Sequence, residues 1–455
     1  MKFLLTFSAF IFTLCFSSFV VANQPNIVFF LIDDLAYADV GFNGGKEIHT
    51  PNIDKLAHGG TILESHYVQP VCSPTRAAFM TGRYATKTGV YTIVRPHAQW
   101  GLPLGERTLA NALHEAGYET AITGKWHLGE FKPEYLPTAR GFDHQYGHYF
   151  GAIDYFTHVR DQSQDWYRDD KPLKEEGYST HLVAKEACKI IAGKNKDKPL
   201  FLYVPFNGVH SPMQVPDSYL KPYNNISGAR LKLAGMLAAV DEAIGQIVTA
   251  LENSGQRENT LIIFSSDNGG PKPGINTPLR GFKGSTLEGG VRACAFANWP
   301  GHIPAAVTIK EPMHMIDWYP TLVKLANGKL EQKLPIDGRD VWPMLTKGEK
   351  SPHDAILCVQ APTHAALRMG DWKLQMNSSA DDSEESEEAT PKKKAKAKAQ
   401  PNTIELYNLA IDIGEKTNLA NQEPERVATM RAKLTEMLKD AVQPGHVGKE
   451  VVAPK

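Results

Sequence analysis

The chain has 455 residues, of which 42% are hydrophobic and 22% charged, and its 49 Lys and Arg against 50 Asp and Glu leave a net charge of -1. These proportions are those of a folded globular protein and exclude a mostly disordered chain, a collagen-like one and a membrane-embedded bundle. The even balance leaves no global basic field for nucleic acid or an anionic membrane.

Residues 1–22 read as a secretory signal peptide. Lys2 gives the positive start, an apolar stretch follows from Phe3 to Val21, and Val20-Val21-Ala22 places cleavage after Ala22. The stretch approaches the ~18 residues that span a bilayer, so an uncleaved anchor is the alternative reading. No later stretch reads as long and apolar enough to span, so no stable membrane span is expected after cleavage. The expected location is secreted or periplasmic, lysosomal in a eukaryote, with a bacterial periplasm preferred.

Residues 26–32 form a continuous apolar run, as expected of a central strand buried on both faces. Residues 107–116 read as a helix closed by Gly117, and 119–123 as a short strand. A helix over 179–193 precedes a strand at 200–204, and a long helix over about 229–253 precedes a strand at 260–265. This alternation predicts an α/β fold with a large, mainly parallel sheet between helices. After about residue 345 the pattern changes to short strands at 355–359, 366–368, 372–376 and 405–408, with a final helix over about 423–441. These predict a smaller C-terminal antiparallel sheet plus helix. The expected division is 23–345 as the catalytic unit and 346–455 as the C-terminal subdomain. Within the latter, 378–401 carries an acidic block and then Lys392, Lys393, Lys394, Lys396 and Lys398. It is expected to be a disordered, solvated insertion, with polyanion binding through its lysines as the alternative.

Cys72, Cys188, Cys294 and Cys358 are far apart and lack CxxC spacing, so neither a zinc cluster nor a dense disulfide framework is expected. A single disulfide stays open. Cys188 and Cys294 read as buried thiols.

Ligands of parallel α/β sheets bind beyond the carboxyl ends of the strands. Asp33 and Asp34 follow the first strand, Lys125 and His127 the second, Asn207 and His210 the third, and Asp267 and Asn268 the fourth. Singly, each has an ordinary explanation as a helix cap, a turn or a structural histidine. Together, Asp33, Asp34, Asp267 and Asn268 offer oxygen ligands that suit a hard cation such as Ca²⁺ or Mg²⁺. Lysine and histidine beside such an ion suit an anionic tetrahedral group. The residues alone therefore point to a metal-assisted hydrolase or transferase of sulfate or phosphate esters.

The stretch Cys72-Ser73-Pro74-Thr75-Arg76, continued by Thr81-Gly82-Arg83, resembles the signature of the sulfatase family. Thr75 stands where serine is common. Gly117-Tyr118-Glu119-Thr120 with Gly124-Lys125-Trp126-His127-Leu128-Gly129 resembles the second signature. Gly281-Phe282-Lys283-Gly284, Glu288-Gly289-Gly290-Val291-Arg292 and Glu405-Leu406-Tyr407-Asn408-Leu409 extend the likeness over nearly the whole chain. The stretch from Gly117 to His158 looks most like the arylsulfatase B branch, whose members remove 4-O-sulfate from galactose or galactosamine units.

The resemblance implies an alkaline phosphatase-like fold and a sulfuric ester hydrolase. It implies that Cys72 is oxidised to formylglycine by a formylglycine-generating maturation enzyme. It also implies one Ca²⁺ held by Asp33, Asp34, Asp267, Asn268 and the modified Cys72. One hydroxyl of the aldehyde hydrate would attack sulfur, and the second would later expel sulfate. By position, Arg76 would hold the hydrate, and Lys125 and His127 would contact hydrate and sulfate. His210 and Lys283 would bind sulfate, with His210 the preferred acid for the leaving alcohol. A solvated loop lysine is the alternative for Lys283. Trp126, Trp166 and Tyr155 are candidates for stacking on a sugar or for core packing, and Arg95, His148, His158 and Arg160 for lining the substrate pocket. Asn225-Ile226-Ser227 and Asn377-Ser378-Ser379 are glycosylation sequons. The expected substrate is a sulfated glycan or aryl sulfate. A phosphate or phosphonate ester hydrolase of the same superfamily and a non-catalytic sulfated-glycan-binding protein are the alternatives.

Overall fold

The computed structural model describes residues 24–376 and 403–445. The signal segment, the charged insertion and the sequon at Asn377 lie outside the described residues.

The first strand, β1 (Asn26–Ile32), has all seven residues buried because both of its faces are covered. Its side chains alternate between two cores. Ile27, Phe29 and Leu31 enter one with Phe79 and Trp318. Val28, Phe30 and Ile32 enter the other with Leu237, Val240 and Ile244. The further strands of the main sheet are β2 (Thr61–Leu63), β3 (Glu119–Lys125), β4 (His144–His148), β5 (Tyr167–Arg168), β6 (Lys171–Pro172), β7 (Leu200–Phe206), β8 (Thr260–Ser266), β9 (Ala295–Asn298) and β10 (Val307–Ile309). Among the described residues the sheet has ten strands in the order β10-β2-β9-β8-β1-β7-β3-β4-β5-β6.

The centre is parallel, and its register positions the chemistry. Ile32 pairs with Phe206 of β7 on one side and with Ser266 of β8 on the other. Asp33, Asn207 and Asp267 therefore leave three adjacent strands at the same level. Lys125, opposite His148 in the parallel pair β3/β4, ends the next strand over. Antiparallel pairs flank this centre on both sides, β8/β9 and β4/β5. The sheet is thus mixed, with its parallel part where the loops matter.

The helices α1 (Cys72–Thr81), α2 (Ser179–Gly193) and α3 (Gly228–Asn253) pack on its faces. One expectation is corrected here: α3 is long and apolar enough to cross a membrane by length and composition. Its apolar residues, among them Leu233, Met236, Leu237, Val240 and Ile247, are buried inside the protein. The apolar character is that of a core helix covering one face of the sheet.

A second sheet, β11 (Ile356–Ala361), β12 (His364–Met369), β13 (Trp372–Met376) and β14 (Ile404–Asn408), is antiparallel throughout and has sequential order. Helix α4 (Pro424–Leu438) covers it, with Met430 and Leu434 packed among Leu357, Leu367, Leu374 and Leu406. The four cysteines of the described residues are free. Cys294 and Cys358 are buried, whereas Cys188 is only half-buried, which corrects its reading as a core thiol.

Phe29 links the sheet to α1, with its ring 4.1 Å from that of Phe79 and 6.2 Å from those of Tyr203 and Trp318. Phe29→Ala is expected to cost about 3–5 kcal/mol of stability through the lost burial and the cavity left behind. Urea unfolding of the variant against the parent chain measures this.

Candidate active site

Helix α1 begins at Cys72, with Val71 as its extended N-cap residue. All ten of its residues are buried, so this helix end points into the protein at the strand-end loops. Unpaired amide groups and the helix dipole favour negative charge there. The Thr75 hydroxyl accepts from the Gln69 amide at 2.9 Å and lies 3.2 Å from Gln69 O, which it meets as donor. It thus fastens the loop before Cys72, work that requires a hydroxyl. Ser73 Oγ accepts from the Val94 amide at 3.0 Å. Gly82, at φ 66, ends the helix where a Cβ would lie 2.9 Å from Tyr319 Cβ.

The strand-end residues converge on Cys72. Lys125 Nζ donates to Asp33 Oδ2 at 2.6 Å. Arg76 Nη2 donates to Asp267 Oδ2 at 2.8 Å and lies 3.8 Å from Asp33 Oδ1, and its Nη1 donates to Lys125 O at 3.1 Å. Asp267 Oδ1 accepts from the Asp34 amide at 3.2 Å, and Asn268 Nδ2 donates to Asp34 Oδ1 at 2.8 Å. Lys283 Nζ reaches both Asp34 oxygens, at 2.9 and 3.0 Å. His210 Nε2 lies 3.6 Å from Asp34 Oδ2, while its Nδ1 is 2.6 Å from Ser211 O. His127 Nε2 is 3.0 Å from Val94 O. Asp34 and His127 both have positive φ, 62 and 60, a backbone cost that sites holding function commonly carry.

All ten predicted site residues are buried; nine of them lie in this one network, and His127, two residues past Lys125, packs with its Nε2 against Val94 O. Lys283 is 4% exposed and ion-paired, which overturns its alternative reading as a solvated loop lysine. The geometry places Arg76 on Asp267 and Asp33, and Lys125 on Asp33. Both cations lock the carboxylates in place.

The electrostatics follow from burial and pairing. Burial raises the Cys72 thiol well above its ordinary range. Burial and the neighbouring Asp33 charge push the Asp267 carboxyl up to about 6, against Arg76 and Lys125. For Asp34, burial acts upward, but Lys283 and His210 together outweigh it and hold the carboxyl below its ordinary value. Three carboxylates thus face three cations, and an added divalent ion makes the centre positive.

The donor set fits such an ion. Asp33 Oδ1 and Asn268 Oδ1 are buried without a hydrogen-bond partner, which is costly unless something else meets them. Ligand atoms of Asp33, Cys72 and Asp267 lie within 4.8 Å of one another, as do those of Asp33, Asp34 and His210. Oxygen donors dominate, as hard cations require.

The flanking candidates behave differently. Trp126, Trp166 and Tyr155 are at most 1% exposed and pack in the core, so sugar stacking is not their role. His148 and His158 are fully buried, with His148 Nδ1 3.0 Å from Phe150 O and His158 Nε2 3.1 Å from Gly177 O. With no exposed surface, they do not line an open pocket. Arg95 and Arg160 are partly exposed. The sequence reading missed what Tyr155 does. Its hydroxyl lies 2.6 Å from Asn207 O and 2.7 Å from His210 O and ties down the His210 loop. A buried tyrosine gives no sequence signal of this.

Fold and site together define an alkaline phosphatase-like protein with an acidic, metal-capable centre at its strand ends. The Sulfatase family model matches residues 25–328. Mouse Arylsulfatase J is 41% identical over 362 residues, 77% of this chain and 60% of that protein, so the chain spans less than two thirds of that relative's length. Mouse N-acetylgalactosamine-6-sulfatase is 32% identical over 383 residues, covering 78% of this chain and 72% of the relative. The crystal structure of Ps i-CgsB in complex with k-i-k-neocarrahexaose superposes with a TM-score of 0.83 at 34% identity, covering 93% of this chain and 94% of the other. The chain belongs to the sulfatase family.

Proposed function

We propose that this protein is a secreted or periplasmic sulfatase that hydrolyses sulfate esters of glycans, with 4-O-sulfate on galactose or N-acetylgalactosamine as its target. The observation that carries the reading is the convergence of Cys72, three carboxylates, Asn268 and three buried cations at one helix N-terminus. The glycan part draws on the relatives, one named N-acetylgalactosamine-6-sulfatase and one solved with a neocarrahexaose. The position of the sulfate rests on the arylsulfatase B likeness from Gly117 to His158.

Asp33, Asp34, Asp267 and Asn268, with the modified residue 72, would hold Ca²⁺. When present, the ion supplies charge neutralisation at the sulfate, and formylglycine at position 72 supplies an oxygen nucleophile. Arg76 and Lys125 fix Asp33 and Asp267 and, together with Lys283 on Asp34, balance the charge of the three carboxylates. Lys283 and the α1 N-terminus bind sulfate oxygens. His210 holds a proton on Nδ1 toward Ser211 O, and its Nε2, steadied by Asp34, delivers a proton to the departing alcohol oxygen.

Release of sulfate from an aryl sulfate, compared with release of phosphate from the matching phosphate ester, tests this. A clear preference for sulfate is expected. Preference for phosphate contradicts the reading, and no turnover of either by protein carrying the matured residue supports a binding protein. His210→Ala is expected to slow sugar sulfates, which have poor leaving groups, by about 10²–10⁴-fold, and nitrophenyl sulfate far less. Equal slowing of both removes His210 from the acid role.

A further inference from the structure

A second buried charge cluster lies where the C-terminal sheet meets the loop that carries Lys283. Glu288 is fully buried. Its Oε1 accepts from Lys373 Nζ at 2.8 Å, and its Oε2 accepts from Tyr67 Oη at 2.8 Å and from Arg292 Nη1 at 3.2 Å. Its amide donates to Glu415 Oε2 at 2.7 Å. Lys373 Nζ also lies 3.0 Å from Glu415 Oε1, an oxygen that accepts from Gln375 Nε2 at 3.0 Å. Thr286 Oγ1 donates to Gln375 Oε1 at 2.7 Å. Lys373 and Gln375 belong to β13, and Glu415 follows β14. Glu288, Thr286, Arg292 and Tyr67 belong to the body that holds the active site.

The segment gripped in this way touches the active site on two sides. The Gly284 amide donates to Pro70 O at 2.8 Å, two residues before Cys72. The Gly269 amide, next to Asn268, donates to Gly290 O at 2.9 Å. Lys283 directly precedes the first of these contacts in the chain. There is no slack in the fit, since a Cβ on Gly269 would lie 1.7 Å from Gly289 O, and one on Gly290 would lie 2.2 Å from Ser285 O. Burial acts to raise the Glu288 carboxyl, but Lys373, Arg292 and Arg368 outweigh it and keep it ionised. A buried carboxylate that loses its counter-ion must move or take up a proton. Movement of Glu288 would carry the whole wedge with it.

We propose that Lys373, Gln375 and Glu415 of the C-terminal sheet are positioning residues, which set the place of Lys283 and of the Asn268 loop through the Glu288 turn. The inference rests on the sulfatase reading of that site. A cluster that serves only as glue between the two sheets makes a different prediction: stability falls, but the folded protein keeps its kinetics.

Two variants of the full chain separate the two. Lys373→Met removes the central cation. Thr286→Val removes one neutral hydrogen bond and leaves the buried charges balanced, so it decides the matter where Lys373→Met does not fold. The readouts are kcat and KM on an aryl sulfate, the affinity for inorganic sulfate by calorimetry, and hydrogen exchange of residues 281–291. For Thr286→Val, the segment's amides are expected to exchange about tenfold faster. KM and the sulfate Kd are expected to rise about threefold. For folded Lys373→Met, kcat is expected to fall by about tenfold or more. Unchanged exchange over 281–291, with unchanged kcat, KM and sulfate Kd, overturns the proposal. If the parent chain carrying the matured residue 72 turns over no sulfate ester, the sulfatase reading fails, and the exchange rates still decide whether the C-terminal sheet holds the segment.

Discussion

Replacing Cys72 by alanine is expected to abolish sulfate release, by about 10⁴-fold or more, while the protein still folds. The side chain is small and lies at the first position of α1, where alanine keeps the helix start and removes only the sulfur. The stability cost of so small a truncation is about 1–2 kcal/mol. The carboxylates are locked by Arg76, Lys125 and Lys283 rather than by Cys72, so the remaining geometry stands. Cys72→Ser is expected to fail as well. A serine hydroxyl offers one oxygen, and turnover in this account needs a second on the same carbon to expel sulfate. Sulfate release with a melting curve for each variant measures both effects. Substantial turnover by Cys72→Ala would place the nucleophile elsewhere.

The second large effect is expected from a chelator. Asp33 Oδ1 and Asn268 Oδ1 are buried with no hydrogen-bond donor, a cost that a bound cation would relieve. Stripping divalent ions is expected to lower turnover by about 10²-fold or more. The folded state also loses its ligand, which at a thousandfold excess over Kd is worth about 4 kcal/mol. The melting temperature is expected to fall by on the order of 5 °C and to recover on addition of Ca²⁺. Mg²⁺ is expected to restore less, because it demands stricter octahedral geometry and sheds water reluctantly. Full activity and an unchanged melting curve after chelation would remove the metal from the account.

Much of this site is legible in the sequence, for a physical reason. Buried parallel strands are continuous apolar runs, so residues 26–32, 200–204 and 260–265 stand out. Polar residues directly after such runs must lie at one edge of the sheet. The register of Ile32 against Phe206 and Ser266 then brings Asp33, Asn207 and Asp267 to one level. The outer strands were not legible. Thr61–Leu63 and Val307–Ile309 are three residues each, too short to show any period. Burial of aromatic and imidazole rings was equally hidden. Trp166 stacks against His158 with ring centroids 4.4 Å apart, a contact between residues whose types suit a sugar pocket just as well. The Glu288 cluster was hidden for another reason. Its members lie up to 348 positions apart, from Tyr67 to Glu415, and only tertiary packing makes them partners. Glu288 and Arg292 were visible as a motif without a role.

The most direct test of the account is the mass of the peptide containing residue 72, from protein co-expressed with a formylglycine-generating enzyme. The account predicts the aldehyde mass in active protein, with turnover rising in step with the fraction converted. An intact thiol under those conditions, in protein that still releases sulfate, would contradict it.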